Sequence, residues 1–406
     1  MSSSTSSSDV LPQQRRIFLR IFLTILLCMG FALLGVRLFA TASEVGSESL
    51  LGRALQIQRV IPRITTEEND LVVFFGSSMV EAGFSPREFD RDIAAAGGDV
   101  MSFNFGVGGL NPLFQDYFTR RIAEGFQSED RRLKLALIEF NPFQTTRARR
   151  TLQEDLEESF VAILASPVEL WDITLQDPER GLRMQEIRYL RDGISAEMIT
   201  TYFWAEPFQA PRESLATDIQ EEEGVEERLD EVLEVLGEKF AEEYPDYDGS
   251  DWYYPWQGGG TIRAERPQET LEWFEQYYEL TQTDYQMTID RLSRIESADI
   301  ESLDFDPELV ARFIQMVENF KAISDHVEVV LLPKNTDWIK NPPDALARQA
   351  DVIEQIRQAT GVPVRDFQQI DAISNDMFSD TTHLNRYHGA AAFSEFLARE
   401  YADRLR

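Results

Sequence analysis

Apolar runs and amphipathic segments alternate along most of the chain, and their order predicts the class of fold. Three short runs rich in branched and aromatic residues, at 71–75, 99–105 and 133–140, have the length of buried strands. Amphipathic segments separate them, and the first begins at Ser85 with Ser-Pro-Arg-Glu, a sequence typical of a capped helix start. The alternation predicts an α/β fold with a parallel sheet covered by helices on both faces.

The same alternation returns near the C-terminus. A helical pattern at 307–325 precedes an apolar strand at 327–332, and a second helical pattern follows at 345–360. A short strand at 362–367 and a last helix at 387–401 complete the series. We therefore expect the two halves of the chain to build one domain.

The segment at about 150–300 interrupts this domain, which we predict to extend over 66–405. The segment is acidic and rich in aromatic residues, and its apolar residues recur at helical spacing, as in Leu229, Val232 and Leu236. Connections within a domain of this kind are usually short. We therefore predict a helical insertion that forms a cap or subdomain over the edge of the sheet.

The N-terminal part of the chain has a different pattern. Residues 1–16 are rich in serine and are predicted to form a disordered cytoplasmic tail. Residues 17–40 hold an apolar run long enough for a transmembrane helix, with Arg20 and Arg37 reaching its edges. Residues 41–65 are predicted to be a linker or stalk that is helical in part. Because basic residues precede the apolar run, the N-terminus should stay in the cytoplasm and the rest should be periplasmic or extracellular.

Cleavage of this segment is an alternative that the sequence leaves open. Ala40-Thr41-Ala42 resembles a signal-peptidase site, and cleavage there would release a soluble protein. The apolar run is long for a cleaved signal, so an uncleaved single-pass anchor is favoured. Cys28 is the single cysteine and lies within the run, so no disulfide is expected in the exported part.

The net charge of −32 narrows the range of partners. The acidic excess lies in the part predicted to be exported, because the N-terminal region contains more arginines than acidic residues. A surface with this charge repels nucleic acid and anionic lipid headgroups. We therefore expect no nucleic-acid partner.

The strongest chemical signal is the pair Asp380 and His383, in a chain with three histidines. An Asp-x-x-His sequence lets the carboxylate hold one ring nitrogen while the other faces outward as a general base. A nucleophile for this base is available in Ser78, which follows the first predicted strand. Together the three residues predict a Ser-His-Asp site.

The motifs around these residues resemble those of the SGNH (GDSL-type) hydrolases. Gly76-Ser77-Ser78 is similar to the first block of that family, with serine where the family usually has aspartate. The glycine-rich run at 104–109 is similar to the second block, and Asp380-Thr381-Thr382-His383 to the last. The resemblance covers about 71–145 and 325–405. It implies a three-layer, flavodoxin-like parallel sheet.

The resemblance also implies a role for each site residue. Ser78 would be the nucleophile, His383 the base that takes its proton, and Asp380 the carboxylate that steadies the imidazolium. The backbone N–H of Gly109 would be an oxyanion donor. The third block departs from the family pattern because Asn141 lacks the preceding glycine. Its amide is therefore one alternative for the oxyanion hole, and backbone N–H groups alone are the other.

Two further interpretations concern ligands. A metal site at Asp380, His383 and His388 is not expected, because the exported part offers no further His or Cys at ligand spacing, and no cofactor is implied. Trp252 and Trp256 lie beside a glycine-rich turn and are candidates for a sugar-binding platform or a lid. The favoured alternative is an aromatic cluster that packs the insertion onto the core.

The expected function follows from the resemblance and the predicted anchor. The chain is similar to the D-alanyl transfer protein of teichoic acids and to alginate acetylation proteins, which add or remove acyl groups on envelope polymers. This implies a serine esterase or O-acyltransferase acting on acyl esters, with acetyl the expected group, of cell-envelope or exported polysaccharide. A multi-pass membrane acyltransferase is the implied partner. The alternative is a non-catalytic assembly or binding partner of such an enzyme that keeps the fold.

Overall fold

A five-stranded parallel sheet forms the centre of the protein. A computed structural model describes residues 10–42, 50–152, 161–162, 165–186, 188, 224–247, 252–284 and 302–406. The strands are β1 (Asp70–Gly76), β2 (Val100–Gly106), β3 (Leu133–Glu139), β4 (Ser324–Leu331) and β5 (Val364–Asp366). Their order in the sheet is β2-β1-β3-β4-β5, and every pairing is parallel. The predicted α/β class and parallel sheet are confirmed, and the strand order is compatible with a flavodoxin-like fold.

Helices connect and cover the strands. The N-terminal half contains α1 (Val10–Ala42), α2 (Leu50–Ile64), α3 (Ser78–Gly83), α4 (Pro86–Ala95), α5 (Pro112–Ser128) and α6 (Arg147–Leu152). The insertion contributes α7 (Pro167–Gln176), α8 (Pro178–Glu186), α9 (Val225–Glu243) and α10 (Gln268–Thr283). The C-terminal half adds α11 (Pro307–Ile323), α12 (Pro343–Thr360) and α13 (Gly389–Leu405).

The central strands are mostly apolar because helices cover both faces of the sheet. Leu71, Val73 and Phe75 of β1 belong to the core cluster on one face, where α5 and α11 also pack. Val72 and Phe74, which alternate with them, belong to the cluster on the other face, with α4 and α13. The sequence of a strand that is buried on both faces is a nearly continuous run of apolar residues, which explains the pattern at 71–75.

The region predicted as a linker contains a helix that belongs to the domain. Ile57, Val60, Ile61 and Ile64 of α2 are all buried in the same cluster as β1 and α5. The side chain of Ile61 lies so close to Gly125 of α5 that a Cβ at that glycine would overlap it. The ordered domain therefore begins before residue 66, at α2.

The insertion covers the free edge of β2. The backbone N–H of Asn104 in β2 donates to the carbonyl of Tyr253 at 3.2 Å. Asp90 of α4 accepts hydrogen bonds from the backbone N–H groups of Ser102 in β2 and Trp256 in the insertion, each at 3.1 Å. These contacts place the 252–262 segment against the sheet edge, where the cap was predicted. Other parts of the predicted insertion lie outside the described residues.

Helix α1 contains the predicted transmembrane segment at 17–40. Large apolar side chains along it are exposed, among them Phe18 at 74% and Phe31 at 70%. Within the described ranges, no helix meets the length and apolarity needed to cross a membrane. Of the tail predicted to be disordered at 1–16, residues 1–9 lie outside these ranges, whereas residues 10–16 belong to α1.

Candidate active site

The position of Ser78 follows from the turn between β1 and α3. Strand β1 ends at Gly76, Ser77 is the N-cap residue of α3, and Ser78 is its first residue. A Cβ at Gly76 would overlap the side chain of Glu139, so the turn requires glycine there. The turn places the Ser78 hydroxyl at the carboxyl edge of the sheet, where ligands bind in folds of this type.

Ser78, His383 and Asp380 form a hydrogen-bonded triad. His383 Nε2 lies 2.7 Å from Ser78 Oγ, and His383 Nδ1 lies 2.7 Å from Asp380 Oδ2. These contacts fit the tautomer in which Nδ1–H donates to the carboxylate and Nε2 accepts the serine proton. Ser78 and His383 are both half-buried, so the hydroxyl and the base remain open to a substrate.

The loop that carries Asp380 and His383 is held by its own backbone. Phe378 and Leu384 pair as an antiparallel bridge, and both side chains are buried. Ser379 N–H donates to the carbonyl of His383 at 2.9 Å, which closes the loop. The sequence Asp-x-x-His therefore forms a tight turn, with the carboxylate and the imidazole on the same side.

The loop also keeps Asp380 ionised. Asp380 Oδ1 accepts hydrogen bonds from the backbone N–H groups of Thr382 at 2.8 Å and His383 at 2.7 Å. Burial by itself would raise the pKa of Asp380, but the charge of His383 and these hydrogen bonds hold the pKa below its usual range. An ionised carboxylate at this position stabilises a protonated imidazole.

The glycine-rich loop after β2 lies against the nucleophile. A Cβ at Gly108 would lie 3.5 Å from the Cβ of Ser78, and Gly109 has a φ of +70°. The Gly108 N–H donates to Glu81 Oε2 at 3.1 Å, which ties the loop to α3. The structure thus brings Gly109 to the site region, and its role as an oxyanion donor stays a prediction.

Asn141 follows the end of β3 and contacts the two residues on either side of Ser78. Its amide nitrogen is directed to Ser77 Oγ at 3.0 Å and to Met79 Sδ at 3.5 Å. Its side-chain oxygen accepts from the Phe143 N–H at 2.9 Å. In this arrangement the amide supports the residue before Ser78, and a direct role in an oxyanion hole stays a prediction.

Glu139 is a residue at the site that the sequence analysis missed. It is the last residue of β3, its exposure is 3%, and its carboxylate contacts Ser77. Burial raises the pKa of Glu139 to about 7, while hydrogen bonds from Ser77 and the charge of His383 act in the opposite direction. The available signal was an acidic residue at the end of an apolar strand, in Leu-Ala-Leu-Ile-Glu.

Arg53 is a second residue that the sequence analysis missed, because it lies in the predicted linker. From α2 its guanidinium donates to the carbonyl of Gly106 at 3.0 Å and to that of Asn104. It also lies 3.4 Å from the centre of the Tyr253 ring. Burial lowers the pKa of Arg53 to about 10. Helix α2 thereby supports the start of the glycine-rich loop.

The two candidate platform tryptophans are held by the protein itself. Trp252 is buried, and its indole N–H donates to the carbonyl of Glu81 in α3 at 2.8 Å. Trp256 is half-buried, and its indole N–H donates to the carbonyl of Gly259 at 2.9 Å. These contacts fit the alternative interpretation, in which the aromatic segment packs the insertion onto the core. A substrate-binding role for either tryptophan stays a prediction.

The other two histidines have different surroundings from His383. His388 is buried and stacks on Phe274 of α10, with ring centres 4.7 Å apart. His326 is exposed near the start of β4, at the opposite edge of the sheet. In the part of the chain that the structure covers, no group of three or more His, Cys, Asp or Glu side chains is arranged to hold a metal ion.

Comparisons with known proteins add no relative to this picture: no protein-family model matches the chain, and no curated protein matches its sequence. The function therefore has to be argued from the site. Its geometry has the parts needed for nucleophilic catalysis by serine, namely a hydroxyl, a base in contact with it and a carboxylate that orients the base.

Proposed function

We propose that the protein is a serine ester hydrolase or O-acyltransferase of the SGNH type. The observation that carries the proposal is the pair of 2.7 Å contacts that link Ser78 to His383 and His383 to Asp380. The parallel sheet with order β2-β1-β3-β4-β5 and the positions of all three residues at its carboxyl edge support it.

The proposed reaction proceeds through an acyl-enzyme. His383 Nε2 takes the proton of Ser78 as Oγ attacks the ester carbonyl, and Asp380 stabilises the imidazolium. The imidazolium then protonates the departing alkoxide, which leaves the acyl group on Ser78. His383 next takes a proton from water or from an acceptor hydroxyl, which attacks the acyl-enzyme. The bond between the acyl group and Ser78 Oγ then breaks, and His383 returns the proton to Oγ. The first acceptor gives hydrolysis and the second gives acyl transfer.

The proposed setting is the outer face of a cell membrane. In this proposal α1 is a single-pass anchor with a cytoplasmic N-terminus, and the domain with the site is periplasmic or extracellular. This arrangement is supported by the exposed apolar side chains of α1 and by the basic residues that precede them. It is also supported by the acidic charge of the chain beyond α1. The proposed substrates are acyl esters, above all acetyl esters, of envelope or exported polysaccharide. The proposed partner is a multi-pass membrane acyltransferase.

Labelling with a fluorophosphonate tests the proposed chemistry directly. The full chain in detergent should be labelled at Ser78, and both Ser78→Ala and His383→Gln should abolish labelling. His326→Gln is a matched control, because His326 is exposed at the other edge of the sheet, and it should leave labelling unchanged. An unlabelled protein whose Ser78→Ala variant is fully functional in cells would support the non-catalytic alternative instead.

A second experiment separates hydrolysis from transfer. The purified protein is given an activated acetyl ester with and without oligosaccharide acceptors, and free acetate and acetylated oligosaccharide are measured. Acetylated product that depends on Ser78 supports a transferase. Release of free acetate alone supports an esterase.

A further inference from the structure

Both carboxylate oxygens of Glu139 accept hydrogen bonds from Ser77, the residue immediately before Ser78. The Ser77 N–H donates to Glu139 Oε2 at 2.5 Å, and the Ser77 hydroxyl donates to Glu139 Oε1 at 3.0 Å. Both Glu139 and Ser77 are buried, with exposures of 3% and 0%. The absence of a side chain at Gly76 leaves room for this approach.

The hydrogen bonds around the Ser77 hydroxyl determine which acceptor its proton is directed to. Ser77 Oγ accepts from the Met79 N–H at 3.2 Å and from the Asn141 amide at 3.0 Å. The single hydroxyl proton of Ser77 is therefore directed to Glu139. Both oxygens of Glu139 therefore accept hydrogen bonds from Ser77.

This contact joins the ends of two neighbouring strands. Ser77 is the N-cap of α3, and its side chain holds the first turn of the helix that presents Ser78. Glu139 is the last residue of β3, which pairs with β1. The hydrogen bonds between Ser77 and Glu139 therefore fix the position of the backbone from which Ser78 projects.

We propose that Glu139 is a positioning residue, which holds Ser78 in line with His383 through its contacts with Ser77. The inference rests on the proposed function.

The test compares Glu139→Gln with a buried glutamate outside the site. Glu328 of β4 is the matched control, since its exposure is 1% and its carboxylate binds Arg365, Arg404 and Tyr401. The readouts are the melting temperature and the pH profile of kcat/KM for an activated ester. Both variants should lower the melting temperature.

Glu139→Gln should lower kcat on the order of 10²-fold with little change in KM, because misplacement of the nucleophile weakens catalysis more than substrate binding. The acid limb of its profile should stay in place, because the change leaves the contact between His383 and Asp380 intact. Glu328→Gln should leave both the profile and the rate per folded molecule unchanged.

Ser77→Ala keeps Glu139 and removes the hydroxyl link, so it serves if Glu139→Gln does not fold. It should lower kcat while leaving the acid limb in place. A Glu139→Gln or Ser77→Ala protein with the wild-type kcat would overturn the inference while the proposed function stands. Absence of Ser78 labelling in the wild-type protein would overturn both.

Discussion

The imidazole of His383 contacts the hydroxyl of Ser78 at 2.7 Å although 305 positions separate the two residues in the chain. The contact arises because parallel strands direct their carboxyl ends to one edge of the sheet. Ser78 follows β1 and His383 lies in the loop beyond β5.

Asp380→Asn should lower kcat on the order of 10³–10⁴-fold, because an amide at this position favours the wrong tautomer of His383. The mutant should fold, since the change is nearly isosteric. Steady-state kinetics with an activated ester, together with a thermal melt, measures both effects. Asp371→Asn is a matched control on the surface and should have wild-type kinetics. Wild-type kcat for Asp380→Asn would contradict the triad.

His388 should make the protein less stable in mild acid. Burial lowers the pKa of His388 to about 4, with the charge of Arg266 acting in the same direction. The unfolded chain binds this proton near the ordinary histidine pKa of about 6.5, so the folded state loses stability as pH falls from about 6.5 to 4. The loss from this residue should reach about 2–3 kcal/mol.

Chemical denaturation between pH 4 and 8 measures this slope. His388→Phe should keep the contact with Phe274 and flatten the slope, whereas His326→Phe, at an exposed site, should leave it unchanged. An identical slope in wild type and His388→Phe would show that other groups cause the acid sensitivity.

Arg53→Ala should destabilise the protein by about 2–3 kcal/mol, because it leaves two carbonyl groups without their charged donor. It should also loosen the glycine-rich loop, so that hydrogen exchange at 104–109 becomes faster and kcat/KM falls. Arg59→Ala is a control on the same helix, since Arg59 is exposed. Equal exchange in the two variants would argue against a link between α2 and the loop.

Trp252→Phe separates packing from substrate binding. The replacement keeps an aromatic ring and removes the indole N–H that donates to Glu81, so stability should fall by about 1 kcal/mol. KM for an acetylated oligosaccharide should not change if Trp252 packs the insertion onto the core. A raised KM with unchanged stability would support the platform interpretation. Trp171→Phe, at an exposed position of α7, is the control.

Much of the fold could be predicted because local pattern and tertiary environment agree. The strands β1 and β3 are buried on both faces, so their sequences are almost continuously apolar, with Lys134 the exception within the run of β3. Strand β4 begins at Ser324, three residues before the predicted start. The prediction began late because the first three residues of the strand are polar and do not continue the apolar pattern. Helix α2 lies in the predicted linker. Its apolar residues Ile57, Val60, Ile61 and Ile64 recur at helical spacing, but this spacing does not indicate which surface they pack against.

The site was predictable to a smaller extent. Asp380 and His383 lie on one turn, so their spacing carries the information, and Ser78 follows a recognisable strand. Glu139 and Arg53 act through contacts that join distant segments: one reaches across from β3 to the start of α3, the other from α2 to the loop after β2. No sequence spacing encodes such contacts, because they depend on how the elements pack.

The sequence by itself determined the α/β class, the apolar strands and the closeness of Asp380 to His383, because these depend on periodicity and on residues a few positions apart. The tertiary structure decided that His383 contacts Ser78, that Glu139 binds Ser77, and that α2 and the aromatic segment belong to the domain. These contacts join segments that are far apart in the sequence. They form only in the folded chain, where the burial of apolar surface brings the segments together.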